Sequence, residues 1–324
     1  MWVINMKKFL ISIINVVIIA AILIFVVIYS KYESRDSYLR QVEHFVDTTV
    51  TMEQVTENYL QGEQNICDIW ARYINNNNMT MEEATEYIRS SHVIKNTSAH
   101  LIDTDTLSGL STRPKLGTED EYDVSYQRLN LLGDLDWIEE IGESVNITRA
   151  YTNPMNGEQS LAFCNIISLY NPETGLSEDA VLLRVVPISA LEQKWVFPQT
   201  ELVNAELAML DASGDYILKG YNFKNSDFFE FYKSYNPTDP ESSNELFDRI
   251  TSSTGSVSMI NSHEEECILA FTPISSNAGW IMLGLVPAKD LKVKNGNWAL
   301  IGVVSVGLLV LFLSDLFYMR YINK

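Results

Sequence analysis

Two long apolar segments, one near each end of the 324-residue chain, constrain its fold more than any other feature. Phe9–Tyr29 carries no charged residue, and Trp298–Tyr318 carries a single acid, Asp315, close to its far end. About 20 apolar residues in a helix are enough to cross the hydrocarbon core of a bilayer. The sequence therefore predicts two transmembrane helices, with the polar stretch 31–296 on the opposite side of the membrane from both termini.

The first apolar segment is interpreted as an uncleaved membrane helix and not as a signal peptide. Its apolar core is longer than the roughly 7–15 residues of a signal, and no small-x-small cleavage site follows it. Basic residues are almost equal in number on its two sides, but Lys7 and Lys8 ahead of it favour a cytoplasmic N-terminus. We expect a plasma-membrane protein with two spans. The predicted order of segments is a cytoplasmic N-terminus (1–8), a transmembrane helix (9–30), a stalk helix (31–78), a membrane-distal module (79–200), a membrane-proximal module (201–296), a second transmembrane helix (297–318) and a cytoplasmic tail (319–324).

The composition argues against several classes of partner and site. The formal net charge is −19 and the isoelectric point is about 4.6, so a nucleic-acid partner is not expected. The three scattered cysteines, Cys67, Cys164 and Cys267, are interpreted as small buried residues and not as a disulfide framework. The four histidines lack metal-ligand spacing, and no nucleophile–base pattern occurs. We therefore predict no cofactor, no metal and no enzymatic activity.

The polar stretch contains an internal duplication. Three strand-like apolar segments recur in the same order about 100 residues later, each bounded by turn residues. The matched pairs are Leu101–Asp103 with Met209–Asp211, Leu161–Ile166 with Leu269–Ile274, and Leu183–Leu191 with Leu283–Leu291. The duplication predicts two α/β modules in tandem, each with an antiparallel sheet, which divide near 196–202.

Helical patterns precede and interrupt the two modules. The stalk helix is expected to continue from the first span to the asparagine run 75–78. The motif Thr80-x-x-Glu83 then predicts a capping box at the start of a second helix, Met81–Ser91. Further helices are expected at Leu129–Ile141 in the first module and at Asp227–Tyr235 in the second.

A stripe with three- and four-residue spacing runs along the stalk helix. Its members are Tyr38, Val42, Phe45, Thr49, Met52, Val55 and Tyr59. Such a stripe forms either the interface of a homodimer or the face that packs on strands of the same chain. The sequence leaves both interpretations open.

Together these features resemble the extracytoplasmic double Cache domain of bacterial transmembrane receptors. The resemblance rests on the stalk helix, the two PAS-like modules, the return toward the second span at Gly279–Pro287 and the segment Asp136–Pro154. It implies an α/β (α+β) fold in which a long N-terminal helix is followed by two tandem PAS-like antiparallel-sheet modules, flanked by two transmembrane helices. It also implies a small-molecule pocket in the membrane-distal module.

Relatives in that family that bind amino acids use an arginine two positions before a tryptophan, a tyrosine just after it and an aspartate at the exit of the closing strand. Leu135, Ile138 and Pro187 stand at those positions here, and only Trp137 agrees with the pattern. An α-amino-acid ligand bound in that mode is therefore not expected.

Five residues of the distal module are predicted to bind the ligand. Arg184 and Arg149 would bind an anionic group, and Trp137 and Tyr151 would form stacking walls, with Tyr126 beside them. For the arginines the alternative is a strand position on a solvated face or in an ion pair. For the aromatic residues the alternative is packing in the core.

The leading functional hypothesis is a transmembrane sensor that binds a small extracellular ligand and passes a signal across the membrane. About six residues follow the second apolar segment, so the output domain would lie in a longer form of the chain or on a separate cytoplasmic partner. The alternative is an envelope interaction protein that uses a Cache-like domain for assembly without sensing a ligand.

Overall fold

The computed structural model describes residues 2–91, 97–129, 131, 146–195, 202–211, 213–237, 240–275, 279–292 and 298–322. The chain forms two compact units, one of residues 1–45 with 286–324 and one of residues 46–285. The predicted module boundary at 196–202 falls almost entirely outside the described residues, as does most of the helix predicted at Leu129–Ile141.

Helix α1 runs without a break from Trp2 to Asn77. From Val17 onward it contains a window long and apolar enough to cross a membrane. The helix ends within the predicted asparagine run, where Asn78 adopts a positive φ of 46° that stops further helical hydrogen bonding. The predicted end of the stalk helix is thus confirmed.

The last helix, α7 at Trp298–Ile322, follows the short helix α6 at Ala288–Leu291. Within its described side chains the apolar part, Val304–Ser314, is shorter than a full span. The second transmembrane segment therefore stays a prediction.

Helix α2 at Met81–Ser90 begins as the sequence predicts. The Thr80 hydroxyl accepts a hydrogen bond from the Glu83 amide at 3.2 Å, and the Glu83 carboxylate accepts one from the Thr80 amide at 3.0 Å. Both halves of the capping box are therefore present.

The first module is built on a six-stranded antiparallel sheet with the order β3-β2-β1-β6-β5-β4. Its strands are β1 at Ser98–Asp103, β2 at Ser108–Ser111, β3 at Asp123–Ser125, β4 at Tyr151–Thr152, β5 at Gln159–Asn171 and β6 at Leu176–Pro187. The short helix α3 at Ile188–Glu192 follows β6 directly, because Pro187 ends the ladder.

The second module repeats this order in a five-stranded sheet, β8-β7-β11-β10-β9. Its strands are β7 at Glu206–Leu210, β8 at Tyr216–Lys219, β9 at Gly255–Ile260, β10 at Glu266–Pro273 and β11 at Ile281–Pro287. Since β1, β6 and β5 occupy the same places as β7, β11 and β10, the predicted tandem of antiparallel modules is confirmed.

Two details of the second module differ from the sequence prediction. Helix α4 at Phe228–Tyr235 was expected, but helix α5 at Pro240–Ser252 was not. In addition, strands β5 and β10 correspond as predicted, but the predicted alignment of Leu161 with Leu269 is wrong. These two leucines pack in different clusters on different faces, so the true alignment is shifted by an odd number of positions.

Three clusters of buried side chains form the core of residues 46–285. The stalk core includes Cys67, Trp70 and Ile74 of α1, Leu101, Phe163 and Leu182 of the first sheet, and Met209 and Met282 of the second. The distal core includes Ile102, Val124, Tyr126, Tyr151, Met155, Cys164 and Leu183. The proximal core includes Leu210, Phe223, Phe228, Phe231, Tyr232, Phe271 and Leu283. Each sheet thus turns one face to the stalk core and the other to a core of its own module.

The three cysteines lie within these clusters. Cys67 is on α1, Cys164 on β5 and Cys267 on β10, and all three are buried free thiols. Their interpretation as small buried residues is confirmed.

The predicted stripe of α1 packs partly on its own chain. Thr49 is 1% exposed, and Met52 belongs to the stalk core, whereas Val55 is exposed. Of the two open interpretations, packing within the chain accounts for Met52.

Candidate functional site

The structure brings two of the predicted ligand residues together with two residues that the sequence did not single out. The Tyr126 and Tyr151 hydroxyls are 3.1 Å apart, and the Tyr126 hydroxyl lies 2.7 Å from His100 Nδ1. On the other side of the ring, Ser98 Oγ is 3.3 Å from His100 Nε2. These four side chains, which we name the polar relay, form one hydrogen-bonded chain inside the distal core.

The relay is assembled from three different strands or strand ends. Ser98 and His100 are two positions apart on β1, so both project from the same face as Ile102 of the distal core. Tyr126 follows β3 and is held by its amide, which donates to the Leu107 carbonyl at 2.8 Å. Tyr151 opens β4, at the far edge of the sheet.

Burial keeps the relay uncharged. His100 and Tyr126 are fully buried, and Ser98 and Tyr151 are each 7% exposed. Desolvation lowers the pKa of His100 to about 3, so its imidazole is neutral near pH 7. Desolvation, helped by the neighbouring phenol of Tyr151, raises the pKa of Tyr126 well above its usual value, and burial also raises that of Tyr151.

A neutral imidazole donates through one ring nitrogen and accepts through the other, and each hydroxyl can do both. The relay can therefore run in either direction, from Ser98 to Tyr151 or the reverse. A hydrogen-bonding ligand at either end would set that direction, because each member must reorient with its neighbour.

A cavity of about 660 Å³ lies along β2 and β3, close to the distal core. Its lining includes Met81, Ser108, Leu110, Val124, Ser125 and Met155. Val124 and Met155 also belong to the distal core that contains the relay. The volume is within the range of about 300–1,000 Å³ that is usual for small-molecule sites.

Charged groups occur in the lining of this cavity and not in the relay. Glu82 and Asp123 contribute carboxylates, and Lys115 Nζ forms a 2.9 Å ion pair with Glu121. Among the described residues, no group of three or more His, Cys, Asp or Glu side chains is arranged to hold a metal ion.

Arg184 lies on the opposite face of the sheet from the relay. It alternates on β6 with Leu183 and Val185 of the distal core, and it is 2% exposed. Its Nε donates to Glu63 Oε2 of α1 at 2.5 Å, and the guanidinium stacks 4.9 Å from the Trp70 ring centroid. Of the alternatives open for Arg184, the structure has the ion pair.

Arg149 connects the two modules. Its Nη2 is 3.2 Å from Asp211 Oδ2, and its Nη1 is 3.6 Å from Asp215 Oδ2, in the turn between β7 and β8. Neither predicted arginine therefore joins Tyr126 and Tyr151. Trp137, the fifth predicted residue, lies outside the described residues.

His100 and Ser98 were not among the ligand-binding residues predicted from the sequence. The sequence signal that could have identified the site was a histidine inside the apolar strand Ser98–Asp103. His100 is two positions from Ile102 and therefore lies on the same face of the strand. The contact of His100 with Tyr126 spans 26 positions, and no local pattern encodes it.

No protein-family model matches the sequence, and no curated protein matches it. Solved structures do match the fold. The ligand-binding domain of the Pseudomonas aeruginosa PAO1 amino acid chemoreceptor PctB, in complex with L-Arg, is similar with a TM-score of 0.55 and 14% identity, over 78% of this chain and 98% of that chain.

Two further solved domains are similar to this chain. The extracellular domain of soHK1S-Z6, titled as a histidine kinase, gives a TM-score of 0.53 at 13% identity, over 79% of this chain and 97% of its own. The ligand-binding domain of Mlp24 with asparagine gives 0.50 at 12% identity, over 81% and 97%. At these identities the likeness concerns the fold alone, and the fold is that of the sensor domains which the sequence resembles.

Proposed function

We propose that this chain is a membrane-bound sensor whose first module binds a small molecule outside the cell. The observation that carries the proposal is a single helix, α1, that continues from a membrane-length apolar window into the stalk core beneath the first sheet. A ligand that changes the packing of that sheet would act directly on the helix. The solved neighbours support the same role, since two of them are ligand-binding domains, one in complex with L-Arg and one with asparagine.

The proposed ligand site is the cavity along β2 and β3, which shares Val124 and Met155 with the distal core that contains the polar relay. The cavity has apolar walls at Leu110 and Met155 and hydroxyls at Ser108 and Ser125, a mixture that is typical of small-molecule pockets. The relay residues are neutral, so a ligand group that reached them would be an uncharged hydrogen-bonding group and not a carboxylate.

The route from this site to the membrane would pass through the Arg184–Glu63 ion pair. Arg184 shares strand β6 with Leu183, whose side chain faces the distal core, while Glu63 belongs to α1. A ligand shifts α1 only if it binds one arrangement of the sheet and helix better than another. The signal would then reach the cytoplasm through α1 and the second predicted span, and act on a separate signalling partner or a longer form of the chain.

A homodimer would use a stripe of α1 that shares only Val55 with the one that the sequence suggested. Seven exposed positions follow alternating spacings of four and three residues, as coiled-coil positions a and d do. They are Thr51, Val55, Asn58, Gly62, Asn65, Ile69 and Arg72. Because the native cysteines are buried, Asn58→Cys is expected to give a disulfide-linked dimer in membranes, whereas Thr56→Cys, at a buried position, is not.

A ligand screen on the full chain in detergent micelles tests the proposed function. Small metabolites, including amino acids and uncharged amides, are scored by the rise in melting temperature. A true ligand is expected to lose its effect in Ser125→Trp, which fills the cavity from an exposed position. The matched control is Ser177→Trp, at an exposed position of β6 outside the cavity lining.

Two outcomes would contradict the proposal. A screen in which no compound raises the melting temperature would contradict the sensor function. A ligand whose effect survives Ser125→Trp would keep the function but remove the cavity along β2 and β3 as its site.

A further inference from the structure

A buried carboxyl of helix α1 lies at the contact with the second module. Glu53 is only 6% exposed, and its carboxyl accepts a hydrogen bond from the backbone amide of Ser275. Ser275 follows β10 at the start of the connection to β11, where the Ile274 amide donates to the Trp280 carbonyl at 2.8 Å. Among the described residues, Glu53 Oε1 has no hydrogen-bond partner, which is costly for a buried charged oxygen.

A second carboxyl, that of Glu57, stands one helical turn away on the same face. It hydrogen-bonds to the Glu53 carboxyl, and it also accepts a 3.2 Å hydrogen bond from Gln61 Nε2. Two carboxyl groups can hydrogen-bond to each other only if one of them carries a proton. The pair is therefore built for one proton and one negative charge.

The groups around the pair supply no compensating cation within the described residues. None of the ion pairs there includes Glu53 or Glu57. From the segment after α3, Trp195 Nε1 donates to Thr56 Oγ1 at 2.8 Å, and Lys194 Nζ lies 5.9 Å from the Tyr59 ring centroid. From the β10–β11 connection, the described group facing Glu53 is the uncharged amide of Ser275.

Burial and the adjacent carboxylate act on Glu53 in the same direction. Desolvation, followed by the hydrogen bond and the charge of Glu57, raises the pKa of Glu53 from 4.5 to about 7, and the Ser275 amide opposes this with a smaller effect.

We propose that Glu53 and Glu57 hold one proton between them, and that losing this proton loosens the contact between helix α1 and the β10–β11 connection of the second module. With the proton, the pair bears a single charge and its carboxyls attract each other. Without it, two carboxylates repel each other on adjacent turns, and one of them is buried. The stalk would thus respond to pH at a place that is separate from the ligand site.

Linkage gives the direction of the expected effect. Glu53 binds its proton more tightly in the folded chain than in the unfolded chain, so the stabilisation is present at low pH and is lost as pH rises from about 4.5 to 7. Equilibrium unfolding of the full chain in detergent micelles measures it, with wild type compared with Glu53→Gln at each pH. The ratio of their unfolding constants, wild type over variant, is expected to rise about tenfold per pH unit between pH 5 and 7 and to level off above that.

Hydrogen exchange locates the response. The protection of the Ser275 amide, corrected for intrinsic exchange, is expected to fall between about pH 5 and 7 in wild type. In Glu53→Gln it is expected to be independent of pH, because glutamine still accepts the bond. In Glu57→Gln the titration is expected to move to lower pH, since the introduced side-chain amide donates to the Glu53 carboxylate. This second variant tests the proposal even if Glu53→Gln does not fold.

Asp47→Asn, at an exposed position of the same helix, is the control for general charge effects. A ratio between wild type and Glu53→Gln that is constant from pH 5 to 8 would overturn the proposal. So would a titration that Glu57→Gln leaves in place, or one that Asp47→Asn removes equally well.

Discussion

The two modules share a strand order but differ on the sheet face that is turned away from the stalk core. In the first module this face carries the hydrogen-bonded chain of Ser98, His100, Tyr126 and Tyr151. In the second it is filled by aromatic rings, with the Phe228 and Phe231 centroids 6.4 Å apart and Phe223 packed 6.2 Å from Phe231. One face holds polar atoms that must be paired, and the other needs only to be packed.

This difference indicates what each sheet contributes. A close-packed aromatic face stabilises its module without any directional requirement. A buried polar chain adds less stability, but it has a defined geometry that a ligand can change. We therefore expect the second module to contribute mainly stability, and the first module to be the one whose hydrogen bonds a ligand can change.

The largest expected effect is a loss of stability when one packed aromatic ring of the second module is removed. Phe228 is fully buried among other rings, so Phe228→Ala is expected to lower the free energy of unfolding by about 3–5 kcal/mol. Equilibrium denaturation of the full chain measures it. Tyr221→Ala, at a position 79% exposed in the same module, serves as control and should change stability by less than about 0.5 kcal/mol. Equal effects of the two variants would contradict the packed face.

The two sheets also differ on the face that is turned to the stalk core. The first sheet has Arg184 there, and the second has Gly284 at the matching position. Arg184→Met leaves the Glu63 carboxylate without its partner, and the expected loss is about 3 kcal/mol of unfolding free energy. The double variant Arg184→Met with Glu63→Leu removes both charges and should recover most of that loss. A double variant no more stable than the single one would mean that the ion pair itself, and not the unpaired charge, carries the energy.

A smaller effect, the dependence of stability on pH, distinguishes the two sheet faces that are turned away from the stalk core. His100 is neutral in the folded chain, with a pKa of about 3, but takes up a proton near its usual value of 6.5 once unfolded. The unfolded chain then binds more protons, so stability falls as pH drops below 6.5, by about 1.4 kcal/mol per pH unit. The loss between pH 6.5 and 5 should total about 2 kcal/mol and be absent from His100→Gln. Comparing the two proteins at each pH cancels the opposite contribution of Glu53. Parallel stability curves would contradict a buried neutral histidine.

Much of the fold was predictable because its signals are local. The end of helix α1, the capping box at Thr80 and the tandem of antiparallel sheets follow from patterns within a few residues, and these three predictions are confirmed. Helix α5 was missed although Leu246 and Ile250 form an i,i+4 apolar pair on it.

The site was less predictable, because its contacts join distant segments. For Arg184 the sequence left a ligand contact and an ion pair open, because alternation along β6 defines two faces but not which of them contacts α1. Glu63, which answers that question, lies 121 positions away. Tyr126 and Tyr151 were named as candidates, yet His100, which bonds Tyr126 on its other side, was considered only as a metal ligand. A buried polar chain depends on tertiary packing, and tertiary packing is what composition and spacing do not encode.

The smallest expected effect compares two tyrosines whose hydroxyls are buried, one in each module. In the first, the Tyr126 hydroxyl bonds both His100 and Tyr151, so Tyr126→Phe leaves two buried polar groups without that partner. The expected cost is about 1–3 kcal/mol of unfolding free energy. In the second, the Tyr216 hydroxyl has no hydrogen-bond partner among the described residues, and Tyr216→Phe should be neutral or slightly stabilising. Denaturation at one pH, with both variants in parallel, separates the outcomes. If Tyr216→Phe costs as much as Tyr126→Phe, the second module also contains a hydrogen-bonded polar group that stabilises its far face, and the division of roles between the modules fails.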